Sequence, residues 1–140
     1  MWRALIAGAA ALCLAGAPMS GSADVQGPAL AVILAERPAP MLSAYRLFRD
    51  ARAEMPNNGV TPYDLATPLF SDYALKARYV FTPPGQPIAY ASDDVFAFPV
   101  GAVLVKTFAY PADFRRGDSP VRKIETRLLI HRASGWTAQT

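Results

Sequence analysis

Three charged residues stand where their chemistry would matter most: Lys106, Glu125 and Arg127. In the stretch Phe98-Pro99-Val100-Gly101-Ala102-Val103-Leu104-Val105-Lys106-Thr107-Phe108, strand alternation puts Val103, Val105 and Thr107 on one face. Ala102, Leu104, Lys106 and Phe108 share the other, which makes Lys106 a cation among apolar neighbours. A desolvated ammonium needs a carboxylate partner or releases its proton more readily, and then serves as a base, nucleophile or covalent anchor. The same alternation aligns Glu125, Arg127, Leu129 and His131 on the following strand. If the two strands are neighbours, Glu125 neutralises Lys106. Arg127 then completes a small ionic network or holds a ligand carboxylate in its planar fork. The structural network is the simpler reading, and an enzyme built on Lys106 is the least supported, because no partner chemistry accompanies it. A buried Lys106–Glu125 pair predicts a loss on the order of 3–5 kcal/mol for Glu125→Ala, which strands a charge.

Other reactive side chains are few. Cys13 is the single cysteine and His131 the single histidine. That excludes a Cys/His zinc site, a disulfide framework, a Cys-His nucleophile pair and covalent c-type haem attachment within these residues. One imidazole at a strand end, beside Arg132, makes no metal site alone. Asp72 and Asp93-Asp94 lack the alternating ligands of a calcium loop and read as solvated turns. No Gly-rich phosphate loop, nucleophile elbow or paired-carboxylate motif is present. Trp136 with Tyr73, Tyr79, Tyr90, Tyr110 and seven phenylalanines is a heavy aromatic load, expected mainly to fill a core, with a stacking surface for sugars as the rival reading.

The elements that must position these residues are mostly strands. Leu42 to Glu54 carries Leu42, Tyr45 and Leu47-Phe48 at helix-like spacing, with Ser43 as N-cap and Pro56 as terminator, and predicts one short helix. Asn57-Asn58-Gly59 signals a turn, and Pro62 and Pro68 keep the next stretch extended. Strands are predicted over 76–82, 88–91, 95–98, 102–110 and 124–131, with another starting at Trp136. That last strand has barely begun at Thr140, which predicts a domain incomplete at its C-terminus and a chain that is a fragment of a longer protein. The fold class predicted is mainly β: an antiparallel sandwich-like domain over residues 42–140 with one short N-terminal helix.

Met1-Trp2-Arg3, the apolar run from Ala4 to Ala17, and the small residues around Gly21 and Ala23 have the layout of a secretory signal peptide, with cleavage after Ala23. The run is shorter than the roughly 20 apolar residues of a membrane span, so no stable span is expected after cleavage. Export to a periplasm or beyond follows. Residues 24–41 read as a linker whose Ala29-Leu30-Ala31-Val32-Ile33-Leu34 run docks a short strand or turn on the domain. All but one of the 13 prolines lie beyond residue 23, which favours rigid turns and short elements. With 14 Lys+Arg against 11 Asp+Glu, the formal charge of +3 is weak and scattered. The densest basic groups, Arg115-Arg116 and Arg122-Lys123, do not make a nucleic-acid footprint.

A family resemblance covers roughly residues 42 to 140. The stretch Asn58-Gly59-Val60-Thr61-Pro62-Tyr63-Asp64-Leu65-Ala66-Thr67-Pro68-Leu69-Phe70-Ser71-Asp72-Tyr73-Ala74-Leu75-Lys76-Ala77-Arg78 resembles the opening signature of the exported bacterial diheme c-type cytochromes. Leu42 to Phe48, Phe98-Pro99-Val100-Gly101 with Lys106-Thr107-Phe108, and Ile124 to Leu129 are similar too. The resemblance implies a periplasmic electron-transfer protein whose β-rich N-terminal region precedes a domain carrying covalent haem c, with that domain or a periplasmic redox partner as its contact. This chain has no Cys-x-x-Cys-His, so it holds no cofactor of its own in that way and no haem ligand carries over. Pro99, Gly101 and Lys106 also resemble a strand of small cytochromes whose haem is cross-linked to lysine, and the same absence counts against that assignment. The alternative is a self-contained exported β-domain that binds a carbohydrate or protein partner through its aromatics.

Overall fold

The computed structural model describes residues 27–140, so the signal-peptide reading lies outside the described residues. The chain is mainly β, in two antiparallel sheets. In order it forms a helix α1 (Leu30–Leu34), a 3₁₀ turn (Leu42–Tyr45), and strands β1 (Phe48–Asp50), β2 (Met55–Pro56) and β3 (Val60–Pro62). Strands β4 (Leu75–Phe81), β5 (Val103–Pro111), β6 (Val121–Arg132) and β7 (Gly135–Gln139) follow. Strands β3 to β7 pair in sequence order as a five-stranded meander, and β1 pairs with β2 beside it.

Strand β5 is central, and its alternation is as the sequence predicts. Val103, Val105, Thr107 and Ala109 are buried on one face. Opposite them in register stand Phe81, Tyr79 and Ala77 of β4, and Ile130, Leu128 and Thr126 of β6. This face is the core, and the layer that covers it comes from the N-terminal segment: Ile33, Tyr45 and Leu47 are essentially inaccessible to solvent.

That layer differs from its prediction in detail. The apolar run at residues 29–34 docks on the domain, but as a helix. Ala29 N–H donates to the Tyr45 carbonyl at 2.9 Å, and Arg132, itself buried, donates from Nε to the Ile33 carbonyl at 3.2 Å. A basic donor at a helix C-terminus satisfies carbonyls that have no partner inside the helix. The helix predicted between Leu42 and Glu54 shrinks to the 3₁₀ turn. The reason is that Tyr45 and Leu47 are both buried, and side chains two apart share a face on extended chain, not on a helix. Arg46 takes a left-handed conformation between them (φ 51°), and the Asp50 carboxylate then accepts from the N–H groups of Arg52 and Ala53 to fix a tight turn.

Of the two short strands predicted at 88–91 and 95–98, the structure keeps a single bridge, Ala89 with Ala97, in a loop that lies over the outer face of the sheet. The predictions for 76–82, 102–110, 124–131 and the strand at Trp136 correspond to β4, β5, β6 and β7.

Gly101 admits the chain to β5 at φ 92°, a conformation that favours glycine. A Cβ there would lie 2.8 Å from Pro83 Cγ and 3.1 Å from Leu30 Cδ1, whereas Gly85 (φ 75°) has nothing within 4 Å. Gly85→Ala therefore carries only the left-handed penalty of about 1–2 kcal/mol. Gly101→Ala adds a clash with Pro83 and with Leu30 of α1 and should cost at least about 1 kcal/mol more by urea denaturation. Equal losses would mean that neither Pro83 nor Leu30 packs closely against Gly101.

Candidate functional site

The outer face of β5 presents Leu104, Lys106, Phe108 and Tyr110, and pairing decides what surrounds Lys106. Its partner on β4 is Arg78 and its partner on β6 is Arg127. Three cations thus stand side by side across three strands, on the face away from the core. Like charges directly opposite in a sheet are destabilising, so this row is a local conflict.

Countercharge reaches its two ends. Arg127 Nη2 lies 2.5 Å from Glu125 Oε1 on its own strand, and Arg78 Nη1 lies 3.6 Å from Asp64 Oδ1. The Arg78 side chain is only 6% exposed while that of Asp64 is 93% exposed, so a buried guanidinium leans on a loosely held surface carboxylate. Among the described residues Lys106 has no carboxylate partner. Its ammonium sits 4.6 Å from the centre of the Phe108 ring, and the Arg127 guanidinium lies 4.8 Å from the same centre. Burial, then the charges of Arg78, Lys76 and Arg127, hold the Lys106 pKa below the usual lysine value of 10.5.

The structure therefore brings Lys106, Glu125 and Arg127 to one face, as the alternation predicts, but not in the predicted pairing. Glu125 stands opposite Phe108, two register positions along, and salt-bridges Arg127 instead of Lys106. Lys106 is a cation among cations as well as apolar groups. Arg78 escapes a reading of the sequence because only the β4–β5 register puts it beside Lys106.

The remaining candidates resolve into structure. His131 Nδ1 lies 2.9 Å from the Phe98 carbonyl, and its ring stacks on Trp136 at 4.7 Å and 13°. Asp94 accepts from the Val95 N–H and Asp93 from the Ser92 hydroxyl, both within their own turn. Among the described residues no three His, Cys, Asp or Glu side chains gather as a metal site.

Aromatic residues depart furthest from expectation. Tyr45, Tyr79 and Phe81 are buried, but Phe70, Tyr73 and Phe114 are 70%, 75% and 60% exposed. Phe70 and Tyr73 meet edge to face at 5.0 Å, and Phe114 lies 6.2 Å from both Tyr73 and Tyr110. Asp72 and Tyr73 both adopt positive φ (45° and 62°), an uncommon conformation for an aromatic residue. Lys76 supports this loop by donating from Nζ to the Leu69 carbonyl. Periodicity did not find this surface, because it lies in a loop where alternation has no meaning.

No family model matches the sequence, and no curated protein or solved structure matches the chain.

Two measurements test the electrostatics. Glu125→Ala should cost less than about 1 kcal/mol, the range of an exposed ion pair, since Arg127 is 57% exposed. A loss of about 3 kcal/mol or more would restore the buried pair. Lys106→Met should stabilise the protein at pH 7 by about 0.2–1 kcal/mol, the scale of a cross-strand charge conflict. The folded state binds its Lys106 proton less tightly than the unfolded chain, so wild-type stability rises with pH between the folded pKa and 10.5. The advantage of Lys106→Met should therefore fade as pH climbs through that window; urea titrations at pH 7 and 10.5 read both effects.

Proposed function

We propose that this chain is the N-terminal, non-catalytic β-module of an exported bacterial c-type cytochrome that takes part in electron transfer. Its loop Leu69–Tyr73 docks the haem-bearing domain or a periplasmic redox partner. One observation carries the reading. The stretch Asn58 to Arg78, which resembles the family's opening signature, turns apolar residues to solvent: Leu69 is 82% exposed, with Phe70 and Tyr73 beside it. Residues outside this chain's own core, one of them (Tyr73) held at positive φ, fit a surface built to be covered. Exposed aromatic residues are also enriched in binding hot spots.

Covalent haem belongs to the longer polypeptide in this reading, because the chain has no Cys-x-x-Cys-His. The same exposed aromatics favour a second reading, an exported module that binds a carbohydrate or another protein unaided.

The intact mass of the native protein, recovered from the host's periplasmic fraction, separates the two. A mass well above the 15.1 kDa of this chain, with covalent haem increments, is expected. A haem-free mass below 15.1 kDa by a removed leader would overturn the cytochrome reading and leave the independent binder.

A further inference from the structure

The cation row raises a question that stability does not answer: why a sheet keeps Arg78, Lys106 and Arg127 abreast when their mutual repulsion costs stability. Violations of local rules gather at functional sites. The carboxylates within reach, Asp64 and Glu125, sit at the row's two ends, and the middle cation has none. An anion from outside the chain would meet its strongest attraction over Lys106.

The neighbouring surface defines the rest of that anion. Two register positions from the Lys106–Arg78 pair, and next to it on the same face, Leu104 stands opposite Val80. Those two side chains floor an apolar slot of about 410 Å³, roofed by Ile88, Phe96 and Phe98 of the loop over the outer face. Asp64, the loose partner of Arg78, forms part of its rim, so the polar end of the slot adjoins the cation row. The volume lies within the roughly 300–1,000 Å³ of small-molecule sites, which are likewise mostly apolar with a few fixed polar groups.

We infer that this slot binds an apolar organic carboxylate, with its carboxylate over Lys106 and Arg78 and its hydrocarbon body between the Val80–Leu104 floor and the Phe96–Phe98 roof. The anion supplies the charge that the row lacks and displaces Asp64 from Arg78. Charge-assisted hydrogen bonds from an ammonium and a guanidinium are the strong class of such contacts. The Arg78 guanidinium already lies at Asp64 on the slot's rim, and the Lys106 ammonium, which rests over Phe108, swings toward Leu104 on its flexible stem to join it. Burial lowers the proton affinity of Lys106 first and the charges of Arg78, Lys76 and Arg127 add to it; an anion would offset the second contribution. The site is independent of the docking role of the Leu69–Tyr73 loop.

Calorimetric titration of the full chain with octanoate, 1-octanol and acetate tests it. Octanoate should bind saturably, 1-octanol more weakly, and acetate not measurably. Lys106→Met, which is expected to fold at least as well as wild type, should weaken octanoate about tenfold and leave 1-octanol unchanged. Phe96→Ala, at a half-exposed position outside the core, should weaken both. No saturable octanoate binding would overturn the proposal. Equal affinity for octanoate and 1-octanol, or octanoate binding indifferent to Lys106→Met, would overturn it as well.

Discussion

In the register the sheet adopts, strand β5 buries Val103, Val105 and Thr107 and at the same time sets Lys106 between Arg78 and Arg127. A strand's side chains alternate faces, and a slip of one residue would carry the whole apolar set into water. The same register that packs Val105 against Tyr79 and Leu128 in the core aligns Lys106 with Arg78 and Arg127 on the other face. A single constraint thus fixes both sides of the molecule. One face is closed by the chain's own N-terminal layer, and the other carries Lys106, Arg78, Arg127 and the apolar slot.

The closed face depends on a second contact of the same economy. Arg132 is 2% exposed, donates to the last turn of α1 through Ile33, and also donates from Nη1 to the Thr137 hydroxyl. It ties the N-terminal helix to β6 and β7 at once. Tyr45 makes a parallel tie, accepting from the Ala39 N–H at 2.9 Å and donating to Gln139 Oε1 at 2.5 Å. The N-terminal segment is held to the far end of the meander by hydrogen bonds as well as by the burial of Ile33 and Leu47. A meander with one uncovered apolar face would not be stable in water, so this segment is part of the fold.

Much of this was legible in the sequence, and the failures share a cause. The long strands β4, β5 and β6 announce themselves by alternation, and the alternation assigns Lys106, Glu125 and Arg127 to one face correctly. What alternation cannot supply is register between strands. It therefore paired Lys106 with Glu125 and missed Arg78, whose position is a property of β4 against β5. The short helix was misplaced for a related reason. Leu42, Tyr45 and Leu47-Phe48 suit a helix, yet Tyr45 and Leu47 are both buried by tertiary packing, which overrides local spacing. The aromatic residues carried no sign of their exposure, because whether Phe70 or Phe81 faces the core is decided by elements far away in the chain.

If the Leu69–Tyr73 loop serves a partner and not the fold, its apolar side chains must be dispensable to stability. The direct measurement is urea denaturation of a variant carrying Leu69→Ser, Phe70→Ser and Tyr73→Ser together. Edge contacts among exposed rings are small, so the loss should stay below about 1 kcal/mol. A loss above about 3 kcal/mol would show that these residues hold the domain together, and the surface would lose its claim to be made for another molecule.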